Sequence, residues 1–472
     1  MDLRQIAGSV AAGFLLWSGF APLEFWIGPI LGAILLYGLL QENRLSRRWL
    51  ISFVTAVNFF APLLHWSSTY VGAFPWLILV LGQALLFSPL ALFQSKDGWI
   101  SVFRFATLFM VLEIVRMKLP FGGFGWGKIG FTQVDSLPWL YPLIGVTGIS
   151  FLVAFFAASV KIKPLFLLIL LFPLLLSALP EKERLVNQKQ FKIVAIQGGV
   201  DSLGFDFNDT PLRVLDRHID ATTDHYEKTS DEVQLYLWPE NSVDLDPRVN
   251  SESQKRLMEI ANKVSTPILT GTVEKSSKGP KNSAVLYDEK GQVLSRYVKQ
   301  DLAPFGEYIP MRKLAEMISP YAVQVNDFVP GNSWQKFAMD EFSFQTLICF
   351  EVLDDDHVRA GARNTDFLVA QTNNATFGAS QQAAQQLQIT RARAAELSKE
   401  FAVVSTTGFT AHIDKKGQII DQLTQFESGA LEMGMQSSTA RTLASRLGSE
   451  FWLIFGALSW IVTLRRFRIF NR

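Results

Sequence analysis

Eight apolar stretches, each close to the length of a bilayer-crossing helix, bracket one long stretch of ordinary soluble texture. A spanning helix takes about 20 mostly apolar residues. The expected spans are 6–22, 23–40, 49–66, 75–93, 98–117, 138–160, 164–180 and 450–464. The first carries Arg4 and could pass for a signal peptide. Six more spans follow it and no small-residue cleavage site is clear, so it reads as retained. The organisation expected is a multi-span α-helical membrane domain over 1–180, a charged linker over 181–190, an α/β domain over 191–449, and a last helix with a basic tail over 450–472.

The short loops orient the chain. Arg44, Arg47 and Arg48 lie between spans two and three, Lys96 between four and five, and Lys161 and Lys163 between six and seven. An inside N-terminus puts all of them, and the basic tail, on the cytoplasmic side, as the positive-inside rule requires. Loop 67–74 is uncharged and falls outside, whereas 116–137 carries Arg116, Lys118 and Lys128 on the outer side as a mild exception. The 191–449 domain then faces outward. Arg104 and Glu113 fall inside span five, and intramembrane charges are costly enough to be functional candidates. Glu113, near the outer end of its helix, could contact substrate or simply pair with neighbouring helices.

A net charge of +1 without a basic stripe gives no support to nucleic-acid binding. The five histidines are scattered without metal-ligand spacing, no P-loop is present, and no cofactor is expected. The Gly122-Gly123-Phe124-Gly125-Trp126-Gly127 run lacks a strand–helix context and reads as a close-packed loop.

From Phe191 onward short strands alternate with helices, which points to layered α/β packing. Strands are expected at 191–197, 233–238, 267–273, 344–350, 366–371, 401–405 and 410–414, a hairpin at 282–299, and helices at 209–229, 251–264 and 379–398. Three strand or hairpin ends carry chemistry: Trp238-Pro239-Glu240, Lys299, and Cys349-Phe350-Glu351. Singly each has a bland reading, as a turn carboxylate, a surface lysine and a small buried hydrophobe. In this order, 59 and then 50 residues apart, they form a chemically coherent set. The thiolate is the nucleophile, a carboxylate can take the thiol proton, and a lysine can favour the anion and then the oxyanion. Cys349 is the only cysteine of the chain, which rules out intrachain disulfides.

These blocks resemble the three signature blocks of the carbon–nitrogen hydrolase, or nitrilase, superfamily. Tyr297-Val298-Lys299 through Pro304-Phe305-Gly306-Glu307-Tyr308-Ile309-Pro310, together with the eight spans, is similar to one branch, the apolipoprotein N-acyltransferases. The resemblance implies an αββα sandwich on the outer face of a bacterial cytoplasmic membrane, with both termini cytoplasmic. It implies Glu240 as general base, Lys299 as oxyanion partner and Cys349 as acylated nucleophile. Glu307 would orient Lys299 or the acceptor amine, and Phe350, Glu351, Trp238 and Asn373 would support the site or the substrate. The partners implied are a phospholipid acyl donor and the free amine of a diacylglyceryl-cysteine at a lipoprotein N-terminus. Two positions depart from the family pattern. Thr376 stands where many members have Trp, and Gly199-Val200-Asp201 follows Gly198 in place of Asn-x-Pro. A membrane-tethered nitrilase-type amidase and a non-catalytic scaffold are the alternatives. Eight spans exceed what a tether needs, and the intact Glu240, Lys299 and Cys349 weigh against a scaffold.

Overall fold

The computed structural model describes residues 1–94, 98–170, 189–318, 323 and 326–469. Lys96, most of the expected span 164–180, the linker as far as 188, and residues 470–472 lie outside them. The chain divides into two units, Met1–Val186 with Thr442–Arg472, and Asn187–Arg441.

The first unit is helical. Its helices are α1 (Leu3–Trp17), α2 (Ile27–Leu39), α3 (Leu45–Leu63), α4 (Ala73–Phe87), α5 (Gly98–Lys118), α6 (Tyr141–Val160) and, from the other end of the chain, α12 (Leu443–Ile469). Three helical runs among the described residues are long and apolar enough to cross a membrane: Ala73–Leu92, Gly98–Lys118 and Pro138–Val160. The expected first and second spans are shorter than read. Their helices have 15 and 13 residues, or about 20 Å at 1.5 Å per residue against a hydrocarbon core of about 30 Å. The cause is local, because Gly19 and Pro22 fall in the segment between α1 and α2, which is not helical. Gly145 (φ 68°) breaks α6 and Gly448 (φ 67°) breaks α12, so the apolar part of the last helix begins after Gly448.

Polarity in this unit is turned inward. Phe74, Leu77, Ile78, Leu81 and Leu85 form an exposed apolar stripe on α4, while Gln83 is buried. Arg104, on α5, donates from Nε to Thr463 Oγ1 (3.1 Å) and lies over the Trp460 ring. Arg116 reaches Gln83 (2.6 Å) and lies over Phe60. Gly123, in the close-packed loop, holds φ +82°, and a Cβ there would sit 2.0 Å from the Met117 carbonyl oxygen. Only glycine fits that approach.

The second unit has two six-stranded sheets. The first runs β12-β1-β2-β3-β4-β5 and the second β11-β10-β9-β8-β7-β6. In the first, β1 (Gln190–Gln197), β2 (Leu235–Leu237) and β3 (Ile268–Glu274) are parallel, and β4 (Lys281–Tyr287) and β5 (Val293–Val298) close it as an antiparallel hairpin. In the second, β7 (Ser343–Ile348), β8 (Phe367–Thr372) and β9 (Phe401–Ser405) are parallel, and β10 (Ala411–Ile413) pairs antiparallel with β9. Inner-face residues of both sheets, among them Ile193, Leu237, Leu286, Ile348, Val369 and Val404, share one apolar core. The outer face of the first sheet packs Val194, Tyr236 and Trp238 against α7 (Arg213–Lys228) and α8 (Ser251–Val264), through Leu215, Leu257 and Ile260. Helix α11 (Gln382–Leu397) is buried along its whole length. Strands β6 (Phe337–Ala338), β11 (Ile419–Gln422) and β12 (Gly429–Gln436) were not expected from the sequence.

Candidate active site

Parallel strands bring their C-terminal ends to one edge of a sheet, where side chains can converge. Glu240 follows β2, Lys299 follows β5, Cys349 follows β7 and Asn373 follows β8. The strand expected over 344–350 stops at Ile348. Cys349 opens a 3₁₀ turn, Cys349–Leu353, with φ +51°. A non-glycine residue held in the left-handed region is strained, and such strain is concentrated where a side chain must be aimed.

Lys299 is buried between two carboxylates. Its Nζ lies 2.9 Å from Glu307 Oε2 and 3.5 Å from Glu240 Oε1. Asn282 bridges the same pair, its Nδ2 donating to Glu240 Oε1 (2.7 Å) and Glu307 Oε1 (2.9 Å). The Asn373 amide donates to Glu240 Oε2 (2.8 Å) and the Ala303 amide to Glu307 Oε2 (2.8 Å). Every Glu240 and Glu307 oxygen therefore has a donor, as buried carboxylates require. Gln386, on α11, donates to the Cys349 carbonyl (3.0 Å) and approaches Sγ at 3.8 Å.

Burial pushes the Cys349 thiol up. The Glu240 and Glu307 charges add to this, and Lys299 and the Gln386 contact oppose it. Burial and the Glu307 charge likewise raise Glu240, against Lys299, Asn282 and the Asn373 amide. Lys299 itself is held above its ordinary value, because Glu307 and Glu240 outweigh its burial. At rest the arrangement is a neutral thiol, a carboxylate held above its ordinary value, and a fixed ammonium. That set can accept a proton from sulfur and meet a developing oxyanion.

The remaining expected site residues divide. Glu307 touches Lys299 and Asn373 touches Glu240 directly. Phe350 is half-buried in the turn that Cys349 opens. Trp238 is fully buried facing away, its indole N–H donating to Thr222 Oγ1 (2.9 Å). It supports the strand carrying Glu240 and is not placed to meet a substrate. Glu351 is also fully buried, accepting from the Ile348 amide (2.7 Å) and the Gln300 amide (2.8 Å). Glu113 belongs to the other unit, where it is buried on α5 and accepts from the Ile129 amide (2.7 Å). Asn282 and Gln386 were not anticipated. Asn282 was within reach of the sequence, since it opens the hairpin that Lys299 closes, and its carbonyl accepts from the Lys299 amide (2.8 Å). No local pattern singles out Gln386 among the glutamines of α11. Among the described residues no group of His, Cys, Asp or Glu could hold a metal ion.

Two family models match the chain in succession. The apolipoprotein N-acyltransferase N-terminal domain matches residues 12–159, and the carbon–nitrogen hydrolase domain matches residues 229–445. Curated relatives align over nearly all of the sequence. The apolipoprotein N-acyltransferase of Mycolicibacterium smegmatis is 28% identical, over 94% of this chain and 82% of that protein. That of Photobacterium profundum is 26% identical over 100% and 96%, and that of Haemophilus ducreyi 28% over 96% and 94%. An amidase from Nesterenkonia sp., among solved structures, aligns at TM-score 0.39 and 20% identity, covering 54% of this chain and 94% of that one. With both domain matches in order along one sequence and relatives of the same name spanning its length, the chain is similar along nearly its whole length to the apolipoprotein N-acyltransferases.

Proposed function

We propose that Cys349 carries the acyl group between two lipid-borne substrates in a two-stage transfer, with Glu240 as the proton carrier and Lys299 as the oxyanion partner. The observation that carries this reading is the buried Lys299, held at 2.9 Å by Glu307 and 3.5 Å by Glu240, with its charge acting on the only thiol of the chain. In the first stage Sγ attacks the ester carbonyl of a phospholipid and its proton passes to Glu240. The tetrahedral oxyanion faces the Lys299 ammonium. Collapse breaks the ester bond, the leaving alkoxide takes the proton from Glu240, and a thioester remains on Cys349. In the second stage the N-terminal amine of a diacylglyceryl-cysteine attacks the thioester and gives its proton to Glu240. Collapse releases the amide, and the proton returns to sulfur.

Lipid substrates on both sides of the reaction account for a catalytic domain built into a chain with helices fit to span a bilayer. Eight spans, cytoplasmic termini and an outward catalytic domain in the inner membrane of a bacterium complete the proposal, supported by the basic loops at Arg44–Arg48 and Lys161–Lys163. Intact mass spectrometry of the membrane-purified protein tests it. The expected result is a hydroxylamine-labile acyl adduct on Cys349, discharged by a diacylglyceryl lipopeptide. An adduct discharged by water alone at the same rate indicates a hydrolase. A fully active Cys349→Ala variant would overturn the nucleophile assignment.

A further inference from the structure

Glu351 ties together the two segments that carry Cys349 and Lys299. Its Oε2 accepts from the amide of Ile348, the residue before the nucleophile (2.7 Å). Its Oε1 accepts from the amide of Gln300, the residue after Lys299 (2.8 Å), and from the Tyr297 hydroxyl (2.8 Å). The side chain has no exposure to solvent. A carboxylate so buried is stable as an anion only beside a compensating cation.

That cation is His357. Its Nε2 lies 3.1 Å from Glu351 Oε1, and its Nδ1 lies 2.9 Å from Asp301 Oδ2. Nε2 also lies 2.8 Å from the Tyr297 hydroxyl, whose own proton is given to Glu351 Oε1, so both ring nitrogens face acceptor oxygens and only the doubly protonated imidazolium can donate from both. The Trp334 ring centroid is 4.1 Å from the imidazole centroid, and Trp334 in turn stacks on Tyr297 at 5.8 Å. An aromatic ring at that distance favours the charged form. The His357 amide is pinned by the Asp354 carboxylate (2.8 Å), which caps helix α10 (Asp355–Gly361). The charged and titratable groups around the ring are therefore Asp301, Glu351, the Tyr297 hydroxyl and Asp354. Burial alone would lower the imidazole, but Glu351 and Asp301 outweigh it and hold His357 at about 10.

We propose that His357 is a positioning residue of the transfer. As an imidazolium between Asp301 and Glu351, it holds the strap that fixes the Cys349 turn against the end of the Lys299 strand. The inference rests on the assignment of Cys349 as nucleophile. Because that thiol is unique, its alkylation by iodoacetamide reports on the turn independently of acyl transfer. The test uses the full-length protein in lipid micelles, as His357→Ala, His357→Gln, Glu351→Gln and the double variant His357→Gln/Glu351→Gln. His357→Ala is expected to lower kcat and the Cys349 alkylation rate by about 10- to 100-fold, the range for a lost hydrogen bond to a buried charge. KM should stay within about twofold, as for a group that acts on the reacting segment rather than on substrate binding. His357→Gln, which keeps one donor toward Glu351, should fall between wild type and alanine. The double variant should lose less than the product of its two singles, the mark of a coupled pair. Wild-type alkylation and kcat in His357→Ala would overturn the inference, and so would singles whose losses simply multiply. If the alanine variant does not fold, the glutamine variant and the double carry the same comparison. An active Cys349→Ala variant would instead overturn the nucleophile assignment, so the two failures are distinct.

Discussion

At the scale of single residues, the candidate site is a set of charges that are buried together. Glu240 is raised first by burial, then by the Glu307 charge, with Lys299 opposing. A base must be ionised to act, so kcat/KM should fall with decreasing pH through a limb lying above the ordinary carboxylate range. Removing the Glu307 charge lowers Glu240, so Glu307→Gln should move that limb to lower pH, read from a pH–rate profile. An unmoved limb would assign it to another group. Asn282 donates to both carboxylates, and hydrogen bonds to charged groups contribute about 1.5–3 kcal/mol. Asn282→Leu should therefore lower the acylation rate by about 10- to 100-fold with the fold retained, measured by single-turnover thioester formation. Both positions show how the sequence can be read. The placement of Glu240, Lys299 and Cys349 at strand ends was legible, because apolar strand patterns stop just before each of them. Asn282 is a polar residue in a strand, and only its cross-strand position opposite Lys299 gives it a meaning. The left-handed turn at Cys349 had no signal at all, since a non-glycine residue there is fixed by its surroundings.

At the scale of elements, the parts read correctly are those with their own periodicity and turns, and the parts missed depend on distant partners. Helix α8 runs over Ser251–Val264, as expected, with Asn250 capping it through the Ser253 amide. The β4–β5 hairpin closes at Asp288–Gly291, where the Asp288 carboxylate accepts from the Lys290 and Gln292 amides. By contrast, β12 exists because it pairs antiparallel with β1, more than 200 residues earlier in the chain. Its two glycines hide the alternation of buried Leu431, Met433 and Met435. Helix α11 is harder still. It reads as a polar helix, yet it is buried throughout, because its side chains satisfy backbone groups of the Cys349 turn. Arg393 is fully buried and donates to the carbonyls of Val352 (3.0 Å) and Leu353 (2.8 Å), and to Asp355 (2.7 Å) and Glu396 (2.6 Å). Breaking such a network by removing one partner costs about 3–5 kcal/mol. Arg393→Leu should lower the unfolding free energy of the catalytic unit by that amount and loosen the 349–355 turn. Denaturation monitored together with Cys349 alkylation measures both. A change below 1 kcal/mol would mean that the turn is held by the Glu351 strap and Gln386 alone.

At the scale of the whole molecule, the division into a helical unit and a two-sheet unit was visible as a change of texture near Phe191, because lipid and water select opposite surfaces. The apolar stripe of α4 and the exposed Phe451, Ile454, Leu458, Ile461 and Val462 of α12 are surfaces that water would not tolerate in one patch. The number and length of spans were less legible, since hydropathy is blind to a loop such as 18–26 that shortens two helices. Sidedness follows from arginine and lysine in short loops alone, and it can be tested with unusual economy because the chain has one cysteine. In a Cys349→Ala background, new thiols at the exposed positions Asn43, Thr69 and Glu289 sample the loop between α2 and α3, the loop between α3 and α4, and the catalytic unit. A membrane-impermeant maleimide applied to intact spheroplasts should label Thr69→Cys and Glu289→Cys. Asn43→Cys should react only after permeabilisation, because Arg44, Arg47 and Arg48 hold that loop inside. Labelling of Asn43→Cys from outside would invert the bundle. Protection of Glu289→Cys would put the thiol chemistry on the cytoplasmic side and overturn the outward placement of the catalytic unit proposed above.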